Sequence, residues 1–202
     1  MLNACLSGRR VAHDDSLTCI ALGTYRAAAG ATSMTAGAVP MHFLASCSAD
    51  CTVKVWSVKD HVVSLQAALE LYDLEQPASC CDLLFTHERS TAYCGLLAAG
   101  ADDGSLVVWA FGSLSTTQLT AAVLFSRKIQ TGKERGVLCV KFLTSKRLLV
   151  STKDGGLLCL DMKGGVVMCA IIPAACVLAM EVTCRLDTLV VVAGCSDGGV
   201  SP

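Results

Sequence analysis

The chain has 202 residues, of which 53% are hydrophobic and 16% charged, with a formal net charge of −1. So apolar a composition excludes a disordered chain and suffices for one sizeable core. The balanced charge offers neither a basic field for nucleic acid nor an acidic tail for a basic partner.

Thirteen cysteines sit mostly inside apolar runs, as Cys19, Cys139, Cys159, Cys169 and Cys184 do, where a reduced thiol acts as a small hydrophobe. The opening MLNACLSGRRVAHDD lacks the apolar core of a signal peptide. The expectation is a reduced, intracellular protein, cytoplasmic with the nucleus as alternative, rather than a disulfide scaffold.

In chain order, the first predicted strand carries an apolar triplet, Leu17, Ile20 and Leu22. A long insert rich in Ala, Gly, Ser and Thr follows, Gly23 to Pro40, with the composition of a loop. Then comes LASCSADCTVKVW, Leu44 to Trp56: an apolar strand, a tight turn at Asp50, and a strand alternating polar and apolar residues. A further strand is predicted over His61 to Ala67. The same order then returns. The triplet recurs as Cys80, Leu83 and Phe85, a shorter loop spans Thr86 to Tyr93, the hairpin is GLLAAGADDGSLVVW, and the last strand is Ala121 to Ser126. A third copy has Val137, Val140 and Phe142, the hairpin RLLVSTKDGGLLCL, and Val166 to Ile172. A fourth has Val177, Met180 and Val182, then LVVVAGCSDGG. The turn aspartates Asp50, Asp103, Asp154 and Asp197 are 53, 51 and 43 residues apart. Glycine follows the aspartate in the last three copies, as a turn needing positive φ requires. Cys51 takes that place in the first, which predicts a slightly different turn there.

The apolar run Val166 to Met180 is fifteen residues long and interrupted by Pro173, too short for a membrane helix. It is expected to be two strands covered on both faces, and no membrane span is expected.

Four strands per period of 40 to 50 residues is the layout of a propeller blade. His13 to Leu22 resembles the opening histidine and first strand of the WD40 family, and Leu44 to Trp56 resembles its hairpin ending in tryptophan. Ala12 and Ser57 stand where the family has glycine and aspartate. The resemblance implies an all-β WD40 β-propeller with about four four-stranded antiparallel blades: blade one at 13–67, blade two at 78–126, blade three at 137–172 and an incomplete blade four at 176–202. This chain is then expected to be part of a larger propeller, with Asn3 to Ala12 available as a strand for a neighbouring blade. It also implies a hydrogen-bonded structural tetrad of His13, Ser46, Asp50 and Trp56. Blade two retains only Asp103 and Trp109 of that set, because Ala99 replaces the hydroxyl. The turns after the second strands line the narrow face of such a ring, which makes Ala49, Asp102, Lys153 and Ser196 candidate partner contacts.

Motifs for chemistry are missing. There is no CxxC pair for zinc, and Cys47 and Cys51 straddle a turn. There is no G-x-S-x-G elbow. The histidines His13, His42, His61 and His87 are scattered, and Thr131-Gly132-Lys133 lacks the first glycine of a phosphate loop. The expectation is a non-enzyme with no catalytic residue, metal or cofactor. The resemblance implies a non-catalytic scaffold that binds peptides or subunits of a complex, without direct nucleic-acid contact. Three alternatives stand beside it. The order of blades is also similar to that of the WD-repeat subunit of Elongator, a complex that modifies wobble uridines of transfer RNA. Lipid-binding propellers use an Arg-rich pair, for which Arg9-Arg10 and Lys146-Arg147 are poor candidates. An enzyme on a propeller scaffold would gather titratable residues in the central channel.

Overall fold

The computed structural model describes residues 13–25, 41–59, 62–63, 69–86, 93–115, 118–129, 136–171, 175–185 and 188–201. The expected insert beyond Tyr25, most of the 86–93 loop, the segment before His13, Pro173, His61 and His87 lie outside these residues.

Each copy of the repeat folds into its own antiparallel meander. Sheet one runs β1 (Leu17–Tyr25), β2 (Met41–Ser48), β3 (Val53–Lys59) and β4 (Val62–Val63), and β5 (Leu69–Leu71) also pairs with β3. Sheet two is β6 (Ala78–Phe85), β7 (Gly95–Ala101), β8 (Ser105–Ser115) and β9 (Gln118–Lys128). Sheet three is β10 (Val137–Thr144), β11 (Arg147–Thr152), β12 (Gly156–Asp161) and β13 (Val166–Ile171). Sheet four is β14 (Val177–Arg185), β15 (Thr188–Cys195) and β16 (Val200–Ser201). The strands form because β-branched and apolar residues alternate between tight turns that Asp-Gly-type sequences favour.

The first strands of successive sheets pack on one another, β1 on β6, β6 on β10 and β10 on β14. The sheets are thus arranged side by side about their first strands, and the core lies between them. Sheets one and two enclose Phe43, Leu83, Phe85, Leu97, Trp109 and Phe111. Sheets two and three enclose Leu96, Leu106, Val140, Phe142 and Leu160. Between sheets three and four the buried set is Leu149, Cys159, Val177, Met180 and Ala193.

A β-bulge at the start of each first strand fixes the register between copies: Leu17/Cys19, Ala78/Cys80, Val137/Cys139 and Val177/Ala179. Counting from the bulge corrects the second apolar triplet. The equivalents of Val137, Val140 and Phe142 are Ala78, Cys81 and Leu83, two residues before the expected Cys80, Leu83 and Phe85. All five of these residues are buried, so burial alone did not distinguish the two registers. The first triplet holds its register but not its burial. Leu17, Ile20 and Leu22 are 52%, 59% and 66% exposed, because this face of sheet one points away from sheet two.

A second correction concerns β13, expected to be covered on both faces. All six of its residues are exposed. It is the outermost strand of sheet three, and no described element covers it.

Hydroxyls join one sheet to the next. Thr18 Oγ1 donates to the Ala78 carbonyl at 2.6 Å, and Ser79 Oγ to the equivalent Val137 carbonyl at 2.5 Å. In sheet three Leu138 replaces the hydroxyl. Ser151 Oγ, from β11, instead reaches the equivalent Val177 carbonyl at 2.8 Å. A buried carbonyl needs a partner, and three different side chains meet that need at one repeated place. Gly100 marks the tightest approach: a Cβ there would lie 2.4 Å from Val137 Cγ1.

Candidate functional site

The structure brings His13, Ser46, Asp50 and Trp56 together. Trp56 Nε1–H donates to Ser46 Oγ at 2.8 Å, and Ser46 Oγ lies 2.8 Å from His13 Nε2. His13 Nδ1 lies 3.1 Å from Asp50 Oδ2. One proton arrangement satisfies every member: the Ser46 hydroxyl donates to Nε2, and Nδ1–H donates to the carboxylate. The imidazole sits just before β1, Ser46 on β2, the carboxylate in the β2–β3 turn and the indole on β3, so the chain of bonds crosses the sheet from turn to core. His13 and Ser46 are buried.

Thr52 is a fifth member that sequence reading missed. Its hydroxyl donates to Asp50 Oδ1 at 2.6 Å, and its amide donates to the same oxygen at 2.9 Å. The amide of Asp14 donates to Oδ2 at 2.9 Å. Partial burial works against ionisation of Asp50. The Thr52 hydroxyl, the two amides and His13 outweigh it and hold the carboxyl down at about 2. A threonine two residues after an aspartate is the signal that was available, since such side chains close local rings with the carboxylate.

The other turn aspartates accept from different donors. Asp103 accepts from the Ser105 amide at 2.9 Å, and Asp197 from the Gly199 amide at 2.8 Å. Asp154 accepts from the Thr152 hydroxyl at 2.5 Å. Asp103 pairs with Lys128 Nζ at 3.0 Å, not with Trp109. The Trp109 indole instead donates to Asp73 Oδ2 at 2.7 Å, a partner lying before β6 and outside the repeated pattern.

Cys51 does not make a different turn. Its φ is 66°, beside 87°, 79° and 82° for Gly104, Gly155 and Gly198. The four turns share one left-handed residue, and only the first carries a side chain there.

Ala49, Asp102, Lys153 and Ser196 occupy one repeated position. The amide of each donates to the carbonyl just before its own first strand: Ser16, Pro77, Gly136 and Cys176, at 2.9–3.2 Å. The turns are therefore fixed against the inner strands, and their side chains stand in a row. Two of these side chains meet, Lys153 Nζ lying 3.2 Å from Asp102 Oδ1, which ties the turn of sheet two to that of sheet three.

Along the first strands a second charged row appears. Lys141 lies between Asp82 (3.4 Å) and Glu181 (3.2 Å), beside a groove lined by Leu22, Leu84, Leu143 and Val182. Burial pushes the Asp82 carboxyl up, against the pull of the Phe142 amide and Lys141. These groups are committed to one another and to the backbone, as in a structural ladder. Of the other described histidines, His42 has its Nδ1 3.0 Å from Thr24 Oγ1.

Comparison with known proteins agrees with this architecture. Residues 7–57 match the WD domain, G-beta repeat family. The crystal structure of Saccharomyces cerevisiae Sqt1 is similar to this chain with a TM-score of 0.58 at 14% identity, covering 90% of this chain. The chain spans 43% of the length of that protein, and at this identity the likeness is one of fold. No protein of curated function matches in sequence. One matched repeat, four repeated sheets and the shared architecture give this chain a β-propeller fold similar to that of the WD40 family, its fourth blade having three strands among the described residues.

Proposed function

We propose that the chain is a non-catalytic scaffold that holds other proteins within a multi-subunit complex, with the row of turns as its contact rim. The observation that carries this reading is the fixed row itself. The backbone of each turn is tied down by the amide at its first position, while the side chain of Asp102 is 57% exposed. Rigid turns presenting varied side chains cost little ordering entropy on binding, which is how a scaffold recognises a partner. The family match and the shared fold support the same class of role.

The test is a charge exchange across the rim. Asp102→Lys combined with Lys153→Asp keeps the ion pair and reverses the local pattern. Affinity purification with quantitative mass spectrometry should show proteins captured by the wild type lost or reduced at least fivefold with the exchanged pair, with the circular dichroism spectrum unchanged. The same proteins at the same yields would place the contact surface elsewhere.

A further inference from the structure

The sulfurs of Cys19, Cys47 and Cys81 lie within 4.8 Å of one another. Cys19 and Cys47 face each other across the β1–β2 ladder, and Cys81 comes from β6 on the next sheet. Cys47 and Cys81 are buried, and Cys19 is partly exposed. Close packing does not by itself demand three thiols here. By the bulge register, the equivalent triplet between sheets two and three is Cys80, Gly100 and Val140, and between sheets three and four it is Cys139, Ser151 and Met180. The same place is filled by glycine, serine, valine or methionine at the other interfaces.

The three thiols also hydrogen-bond to one another. Hydrogen bonds from Cys47 and Cys81 pull the Cys19 thiol far below its ordinary range. The same bonds push Cys47 up to about 12 and Cys81 well above the usual value. Cys19 is the one of the three that is open to solvent.

We propose that Cys19, Cys47 and Cys81 form a binding site for a thiophilic d10 cation, copper(I) or zinc(II). The donor set is sulfur alone, which selects soft ions over magnesium or calcium. Three atoms no more than 4.8 Å apart lie within about 2.8 Å of a common centre, only about 0.5 Å beyond a ~2.3 Å metal–thiolate bond. Small side-chain rotations close that gap. Copper(I) would be held by the three sulfurs, whereas zinc(II) would complete its tetrahedron with water on the exposed side of Cys19. On binding, metal–sulfur bonds form, the S–H bonds of the three thiols break with their protons leaving to solvent, and no electron changes hands. Affinity therefore falls as pH falls. The site escapes motif reading because its ligands come from three strands on two sheets.

The test uses the reduced full chain, loaded with copper(I) or zinc(II) against a competing chelator, then alkylated with iodoacetamide and digested for mass spectrometry. One equivalent of at least one ion should slow alkylation of Cys19 tenfold or more, while the exposed Cys169 stays reactive. The ion that protects identifies the occupant. Cys81→Ser or Cys81→Ala, with folding checked by circular dichroism, should abolish protection, and Cys169→Ser should not. Equal alkylation of Cys19 with and without both ions overturns the proposal, as does protection that survives in a folded Cys81 variant. Where neither variant folds, the wild-type protection pattern alone decides.

Discussion

Asp50 accepts from four donors, two on Thr52, one on Asp14 and one on His13, so its removal strands more groups than removal of any single partner. Leaving such donors unsatisfied costs about 1–3 kcal/mol, and Asp50→Ala should lower stability by that amount at pH 7. The same carboxylate carries a pH signature. Its folded pKa of about 2 lies below the ~3.9 of an unfolded aspartate. The unfolded chain therefore binds this proton more readily, and stability that is complete above about pH 4 is lost as pH falls towards 2. Urea denaturation at pH 7, 4, 3 and 2 measures both effects. Asp50→Ala should show a lower midpoint at pH 7 and a shallower loss between pH 4 and 2. A midpoint at pH 7 equal to the wild type would show that the network contributes nothing. Trp109 shows how the same indole requirement is met without the set: with Ala99 in the place of Ser46, its N–H finds Asp73. The demand of a buried indole for an acceptor is general, whereas the acceptor is local.

The four β2–β3-type turns are one structural element made four times, and three use glycine at the left-handed position. Cys51 takes φ 66° there against the steric preference of any residue with a Cβ, at a cost of roughly 1–2 kcal/mol. Cys51→Gly relieves that strain but adds freedom to the unfolded chain, so the net gain should be about 0.5–1 kcal/mol. Thermal unfolding should show a rise in Tm, and a fall would mean that the Cys51 side chain holds the turn through its contacts. These turns were legible in the sequence because Asp-Gly between alternating apolar residues has few other solutions. The register of β6 was not legible, because Cys80, Cys81, Leu83 and Phe85 are buried on both faces and a doubly covered strand loses its period of two. The exposed β13 failed in the opposite sense: an apolar run reads as core even where the strand forms an outer edge. The three-thiol cluster was hidden for a simpler reason: the thiols meet only once β1 has packed on β6.

Because each sheet packs chiefly on its neighbours, the molecule's stability is a sum of nearest-neighbour interfaces, and these are unequal. Among the described residues, the interface of sheets one and two buries three phenylalanines and a tryptophan, Phe43, Phe85, Phe111 and Trp109. The set between sheets three and four is five residues, none of them aromatic. At about 25 cal/mol per Å² of apolar area, that difference outweighs any single hydrogen bond. β7 is buried along its whole length, with a sheet on either side. Opening should therefore begin at sheet four and reach β7 last. Native-state hydrogen exchange tests this ordering: β14 and β15 amides should exchange by a low-energy opening, and β7 and β8 amides only on global unfolding. Ser151→Ala removes the hydroxyl that joins β11 to the Val177 carbonyl. Losing about 1 kcal/mol there should speed exchange in sheet four roughly fivefold and leave β7 unchanged. Uniform protection across the four sheets would mean that they open as one unit, with the coupling carried through the shared first strands rather than set by the size of each core.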